Sequence, residues 1–141
     1  MLMGNLQPIL KSYIIRAIRQ AFVRSDQYLE CKKRNRREYI KYKLNGEVSK
    51  QKSVMYNCEI CNKEFKDKEM QVDHKSQVVQ LYESANDLTI STYISRVYCS
   101  ALNLQLVCKS CHNIKTTTEN KTRKQLKINK FPKKKRPKLK L

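Results

Sequence analysis

Apolar residues recur at helical spacing near the start of the chain and in short alternating runs through its middle. Over residues 8–24, Ile9, Tyr13, Ala17 and Phe22 form one stripe, with Ile14, Ile18 and Ala21 beside it. Lys11, Arg16, Arg19 and Arg24 fall on the watered side. That pattern predicts an amphipathic helix, and Pro8 suits its first turn. Ser25 and Asp26 break the stripe, and either one caps a second helix predicted over about 25–44. Asn45-Gly46 is a turn signal, and 45–54 reads as a linker. YNCEICNKEF predicts a tight turn between short strands. EMQVDHK predicts a strand with Met70 and Val72 on one side. Residues 76–88 are irregular. Ile90, Ile94, Val97 and Tyr98 predict a short helix, Leu104–Val107 a short strand, and the run from Cys108 onward a second tight turn entering a helix. Residues 129–141, NKFPKKKRPKLKL, hold two prolines and no core positions, so they read as a disordered basic tail.

Charge changes this picture more than composition does. The 141 residues carry 31 Lys and Arg against 12 Asp and Glu, a net charge of +19. Residues 1–57 hold 13 basic and 4 acidic side chains, 58–119 hold 7 and 8, and 120–141 hold 11 and none. A near-neutral centre between two basic arms suits a polyanion, and a phosphate backbone is the commonest large one. In the second predicted helix, KKRNRREYIKYK interleaves Tyr39, Ile40 and Tyr42 with basic residues that can follow a groove. The arm residues expected to touch nucleic acid are Arg16, Arg19, Lys32, Lys33, Arg36, Arg37 and Lys43, with Lys75 in the centre. No apolar run reaches the ~18–20 residues of a membrane span. The first residues show neither a basic n-region nor a small-residue cleavage site, so a cytoplasmic, reducing location is expected. PKKKRPKLK is also of the short basic type that directs nuclear import, a lesser alternative.

Six cysteines in such a compartment point to metal rather than disulfides. Cys58 and Cys61 form one Cys-x-x-Cys pair, and Cys108 and Cys111 another, with 46 residues between the two pairs. Two residues between thiolates let one turn present both sulfurs to a single tetrahedral ion, so each pair supplies half of a structural zinc site. The gap exceeds the ~15–20 residues of a compact zinc ribbon, so something is inserted between the halves. Cys99 reads as a small core residue, and Cys31 has no assignment.

The insert holds Asp73-His74 and then Asn103, and His112 follows the last cysteine directly. These are the chain's two histidines. The run Cys58…Cys61…Val72-Asp73-His74…Asn103-Leu104-Gln105-Leu106-Val107-Cys108…Cys111-His112…Lys115-Thr116 resembles the HNH endonucleases with a zinc-bound ββα-metal motif. It looks most like the small HNH proteins of tailed bacteriophages, down to an aromatic Arg-x-x-Cys segment, Arg96–Cys99, before the Asn. The resemblance covers 56–124 well and 8–45 loosely.

The fold class implied is α+β: a small ββα-metal core with a four-cysteine zinc site, preceded by basic α-helices. Three segments follow from it. Residues 1–54 are a basic helical DNA-binding extension, 55–126 the nuclease domain, and 127–141 the tail. The resemblance implies that His74 is the general base that activates water against a phosphodiester. Asp73 and His112 would hold one divalent cation, Mg²⁺ or Mn²⁺. Asn103 would fix the loop that orients the base, with Asn113 as the alternative because 28 residues separate His74 from Asn103. Arg96, Lys115 and Thr116 would lie near the DNA backbone. The implied function is metal-dependent hydrolysis of DNA, by nicking or double-strand cleavage. The implied partners are double-stranded DNA and phage packaging or replication proteins. The competing expectation is a non-catalytic zinc protein that binds DNA or assists packaging. Binding alone needs none of Asp73, His74, Asn103 or His112.

Overall fold

A computed structural model describes residues 7–130, an α+β arrangement in which helices cover two small antiparallel sheets. Helix α1 spans Pro8–Phe22 and α2 spans Asp26–Arg34. Strands β1 (Arg36–Tyr39), β2 (Ser53–Asn57) and β3 (Glu64–Phe65) form one sheet in that order. Strands β4 (Met70–His74) and β5 (Leu104–Cys108) form the other. Helix α3 (Ile90–Val97) lies between them in the chain, and α4 (Lys109–Lys130) follows β5 without a break.

Ser25 joins α1 to α2. Its hydroxyl donates to the Phe22 carbonyl and accepts from the Tyr28 amide, so one side chain closes the first helix and opens the second. The buried stripe of α1 is Ile15, Ile18 and Phe22, shifted from the expected one: Ile9 is 69% exposed and Tyr13 61%. Lys11 does not reach for water. Its ammonium donates to the carbonyls of Leu88 and Asn86 at 2.5 and 2.6 Å, which docks α1 on the segment before α3. In α3 the buried residues are Tyr93 and Val97, and Ile94 faces outward.

The second helix ends ten residues sooner than its expected limit at residue 44. Asn35 caps it, and KKRNRREYIKYK turns from helix into strand. Arg36–Tyr39 pair with Tyr56–Ser53, and Tyr42 bridges to Val48. Alternating Arg, Tyr and Ile positions suit a pleated ribbon as well as a helix, and pairing with β2 decides between them. The expected linker is therefore the far end of a hairpin. Its turn runs from Lys43 to Gly46, whose φ of +83° places it in the left-handed region that glycine enters at no steric cost. The expected boundary between 54 and 55 falls inside β2.

The β4–β5 pair is the centre of the molecule. Its register sets Met70 opposite Cys108, Asp73 opposite Gln105 and His74 opposite Leu104. Successive side chains face opposite sides of a sheet. On one side His74 meets Phe22 of α1, and on the other Asp73 meets Lys115 of α4. Leu104, Leu106, Val107 and Val97 are fully buried. Removal from water stabilises each by ~1.5–3 kcal/mol.

Helix α2 is fastened to β5 by a polar network that the charge pattern did not show. Arg34 donates to Glu59 through two nitrogens, at 3.0 and 3.3 Å, and to the carbonyls of Ala101 and Leu104. Glu59 accepts from Asn35 at 3.0 Å and from the Leu106 amide at 3.1 Å. The Glu59 amide donates to the Leu106 carbonyl at 2.9 Å. Glu59 thus completes the free edge of β5, and the basic segment and the cysteine-bearing segment pack as one body. Helix α4 continues to Lys130, past the expected limit of 126, and the rest of the basic tail lies outside the described residues. Among the described residues no helix is long and apolar enough to cross a membrane.

Candidate metal centre and active-site cleft

The four cysteines converge as their spacing predicts. Cys58 and Cys61 sit on the turn between β2 and β3. Cys108 ends β5, and Cys111 lies in the first turn of α4. All four Sγ atoms lie within 4.8 Å of one another. Zinc bonded to sulfur at ~2.3 Å in a tetrahedron sets sulfurs about 3.8 Å apart, so the cluster is compatible with a structural metal such as zinc. The Cys108 amide points at Cys58 Sγ at 3.3 Å, and the Cys111 amide at Cys108 Sγ at 3.5 Å. Burial tends to raise the Cys58 pKa, but the amides of Cys61, Cys108 and Ile60 together outweigh it and bring the thiol down to about 7. Cys111, hydrogen-bonded to Cys108 and partly desolvated, is pushed up to about 12. A cation would displace these shared protons, since only the thiolate ligates.

Asn62 shapes the first knuckle. Its φ is +57°, the single positive value outside glycine among the described residues. Its amide donates to the Cys58 carbonyl at 2.8 Å, and the Cys58 amide donates to Lys63 at 2.9 Å. Asn enters this region more readily than most residues. Asn62→Gly should therefore change stability little, whereas Asn62→Val should cost about 1–2 kcal/mol. Thermal unfolding of the metal-loaded protein checks both, and equal melting temperatures for the two variants would contradict this account.

Six of the other candidate residues lie along a cleft of about 1090 Å³ between the loop after β4 and α4. Asp73, His74, His112, Lys115 and Thr116 line it, and Arg19 reaches it from α1. Spacing on α4 accounts for half of this wall, because positions 112, 115, 116 and 119 share one helix face. Arg96 and Arg123 hold the opposite wall in place. Arg96 pairs with Glu83 at 2.7 Å and donates to the Val78 carbonyl, while Arg123 donates to the carbonyls of Val79 and Gln80. Arg123 was absent from the sequence-based candidates, although it lies two turns past Thr116 on the same helix.

His74 is 9% exposed. Its ring stacks on Phe22, with centroids 5.3 Å apart. Nε2 lies 2.8 Å from the Val97 carbonyl oxygen. A carbonyl only accepts, so Nε2 carries the proton and the neutral ring keeps its lone pair on Nδ1. Burial holds the ring below the ordinary histidine pKa, so it is neutral at pH 7. The carbonyl that fixes this tautomer belongs to backbone, and no side-chain pattern marks it. Its source is α3, within the insert that makes the His74–Asn103 interval long.

Asp73 Oδ2 accepts from Gln105 at 3.1 Å and pairs with Lys115 at 2.5 Å. Lys115 also donates to the His74 carbonyl at 2.5 Å. Both donors use one carboxylate oxygen, and Oδ1 has no partner among the described residues. Asp73 and His112 thus bring one carboxylate and one imidazole to the same cleft. Asn103 does not line the cleft. Its side chain is exposed, and its backbone carbonyl accepts from the Lys75 amide at 2.8 Å, which ties the end of β4 to the start of β5. Asn113 is exposed on α4.

The expected nucleic-acid contacts divide. Arg16, Lys33, Arg36, Arg37, Lys43 and Lys75 are exposed. Lys32 is partnered by Asp67 and lies over the Tyr56 ring, and Arg19 donates to the Tyr93 hydroxyl at 2.6 Å. Cys31 is wholly buried, and burial pushes its thiol up to about 11, consistent with an inert core residue. Compared with protein families, curated proteins and solved structures, the chain finds no match.

Proposed function

We propose that this protein is a metal-dependent DNA endonuclease of the HNH type, with His74 as its general base. The observation that carries the reading is the state of His74. It is a buried imidazole in a cleft wall, with Nε2 engaged by the Val97 carbonyl, which leaves Nδ1 as the nitrogen to take a proton. The order β4–β5–α4, with the cysteine pairs bracketing it, supports assigning this segment to a ββα-metal core.

In the proposed reaction a water gives its proton to His74 Nδ1. The hydroxide oxygen bonds to phosphorus and the bond to the 3′ oxygen breaks. The products carry a 5′-phosphate and a 3′-hydroxyl, the latter protonated from solvent. Asp73 and His112 would hold a divalent cation, Mg²⁺ or Mn²⁺, whose charge would stabilise the phosphate and the leaving oxygen. Phe22 and Val97 fix the ring plane and tautomer. The N-terminal end of α4 adds a positive dipole, and Thr116 offers a hydroxyl on the same wall. The chain's charge of +19 supports a polyanionic substrate.

Supercoiled plasmid incubated with the protein should convert to nicked or linear DNA when Mg²⁺ or Mn²⁺ is present and stay intact without them. Tight binding with no conversion under either cation would favour the non-catalytic zinc protein instead.

A further inference from the structure

The residues from Arg36 to Val48 are exposed without interruption, the longest such run among the described residues. They form most of a two-stranded ribbon. Beyond the β1–β2 register, the amide of Ser49 donates to Lys41 at 2.7 Å, and that of Lys43 to Glu47 at 2.8 Å. At ~3.3 Å per residue, the ribbon reaches roughly 25–30 Å from Arg36 to its tip at Asn45. Its root is fixed. The Asn57 amide donates to the Asn35 carbonyl at 2.9 Å, and Cys58 of the metal cluster comes next.

The composition is unlike that of a strand merely kept in water. Residues 36–52 hold six Lys and Arg against two Glu, a net +4. Glu38 is shared by Arg36 and Lys52, and Glu47 takes Lys43. Lys41 and Lys50 have no acidic partner among the described residues. Charge alone would keep an edge strand solvated. Ile40, Tyr42, Leu44 and Val48 serve no such purpose, because each leaves more than half of its surface in water. A convex finger, bare on both faces and alternating cations with flat or branched apolar groups, needs a concave, anionic partner with apolar patches.

We propose that this ribbon enters the major groove of double-stranded DNA and docks the duplex. The groove is about 12 Å wide and admits a two-stranded ribbon. The cations would neutralise phosphates on its rims, while Tyr42 and its apolar neighbours lie against base edges and thymine methyls. This inference deepens the nuclease reading by naming where its substrate is held, and its test is independent of cleavage.

Two variants test it, both in a His74→Gln background that binds without cutting. In one, residues 41–49 are replaced by an Asn-Gly turn, leaving the Arg36–Tyr39 pairing to β2 intact. In the other, Lys41→Gln, Tyr42→Ser, Leu44→Ser and Lys50→Gln alter only exposed side chains. Binding to a labelled 30-bp duplex, measured across salt concentrations, should weaken by about tenfold or more in both. The slope of log K against log salt should fall by ~0.9 for each phosphate that is no longer neutralised. Dimethyl sulfate should find guanine N7 protected by the parent and open in both variants. Parent-like affinity and slope in the two variants would overturn the proposal. So would a minor-groove competitor displacing the parent, or a loss confined to single-stranded DNA. Ribbon-dependent binding by a protein that, with His74 intact, never cleaves duplex DNA under Mg²⁺ or Mn²⁺ would sink the nuclease reading and leave this one standing.

Discussion

His74→Gln should slow phosphodiester cleavage by about 10²- to 10⁴-fold, the usual range for loss of a positioned base. Duplex affinity should stay within about twofold of the parent, because the ribbon and the exposed lysines remain. Gln is chosen for its side-chain N–H, which can still donate to the Val97 carbonyl and spare that acceptor from being buried unpaired. His74→Ala would also leave a gap beside Phe22 and confuse lost packing with lost chemistry. The pH profile supplies a second readout. Burial lowers the His74 pKa, so the acid limb of kcat/KM should fall below the ordinary histidine value of ~6.5 and activity should be level above it. A variant that folds and cleaves at the parent rate would remove His74 from the mechanism. An acid limb above 6.5 would mean that another group is titrating.

The reading of His74 shows what this chain makes legible and what it hides. Its candidacy came from residue type and order, since Asp-His, Asn and Cys-x-x-Cys-His are written in the sequence. The contacts that set its tautomer and ring plane come from elsewhere in the fold: a backbone carbonyl at residue 97 and a phenyl ring at residue 22. Neither follows from periodicity. The cysteine pairs were fully legible because the constraint on them is local, two residues between sulfurs on one turn. The basic segment after Lys32 was not. Arg, Tyr and Ile suit a helix face or a ribbon equally in isolation, and the choice rests on hydrogen bonds to Ser53–Tyr56, far along the chain. Glu59 and Arg34 were invisible for the same reason. Their pairing, 25 residues apart, depends on β5 arriving between them with open carbonyls and amides. Asn103 is the instructive exception. Its side chain is exposed and away from the cleft, and its backbone carbonyl accepts from the Lys75 amide, a contact that any residue type could make.

Stripping the metal from the four-cysteine cluster should unfold the domain rather than loosen one loop. Structural zinc contributes ~10–16 kcal/mol of apparent free energy at neutral pH in small zinc peptides. A domain of this size has only ~5–15 kcal/mol of total stability. The cluster's position makes the effect global. Its first pair closes β2–β3, which roots the ribbon and presents Glu59 to β5. Its second pair joins β5 to α4, the strand and helix that carry the cleft wall. Without the cation, four sulfurs within 4.8 Å must share protons or repel at the point where the two halves of the core meet. A strong chelator should therefore cut the far-ultraviolet circular dichroism and abolish cooperative melting, and one equivalent of Zn²⁺ should restore both. Cys108→Ser should show the stripped behaviour even with zinc added. A metal-free protein with an unchanged spectrum and melting temperature would show that the thiols are ordinary core residues.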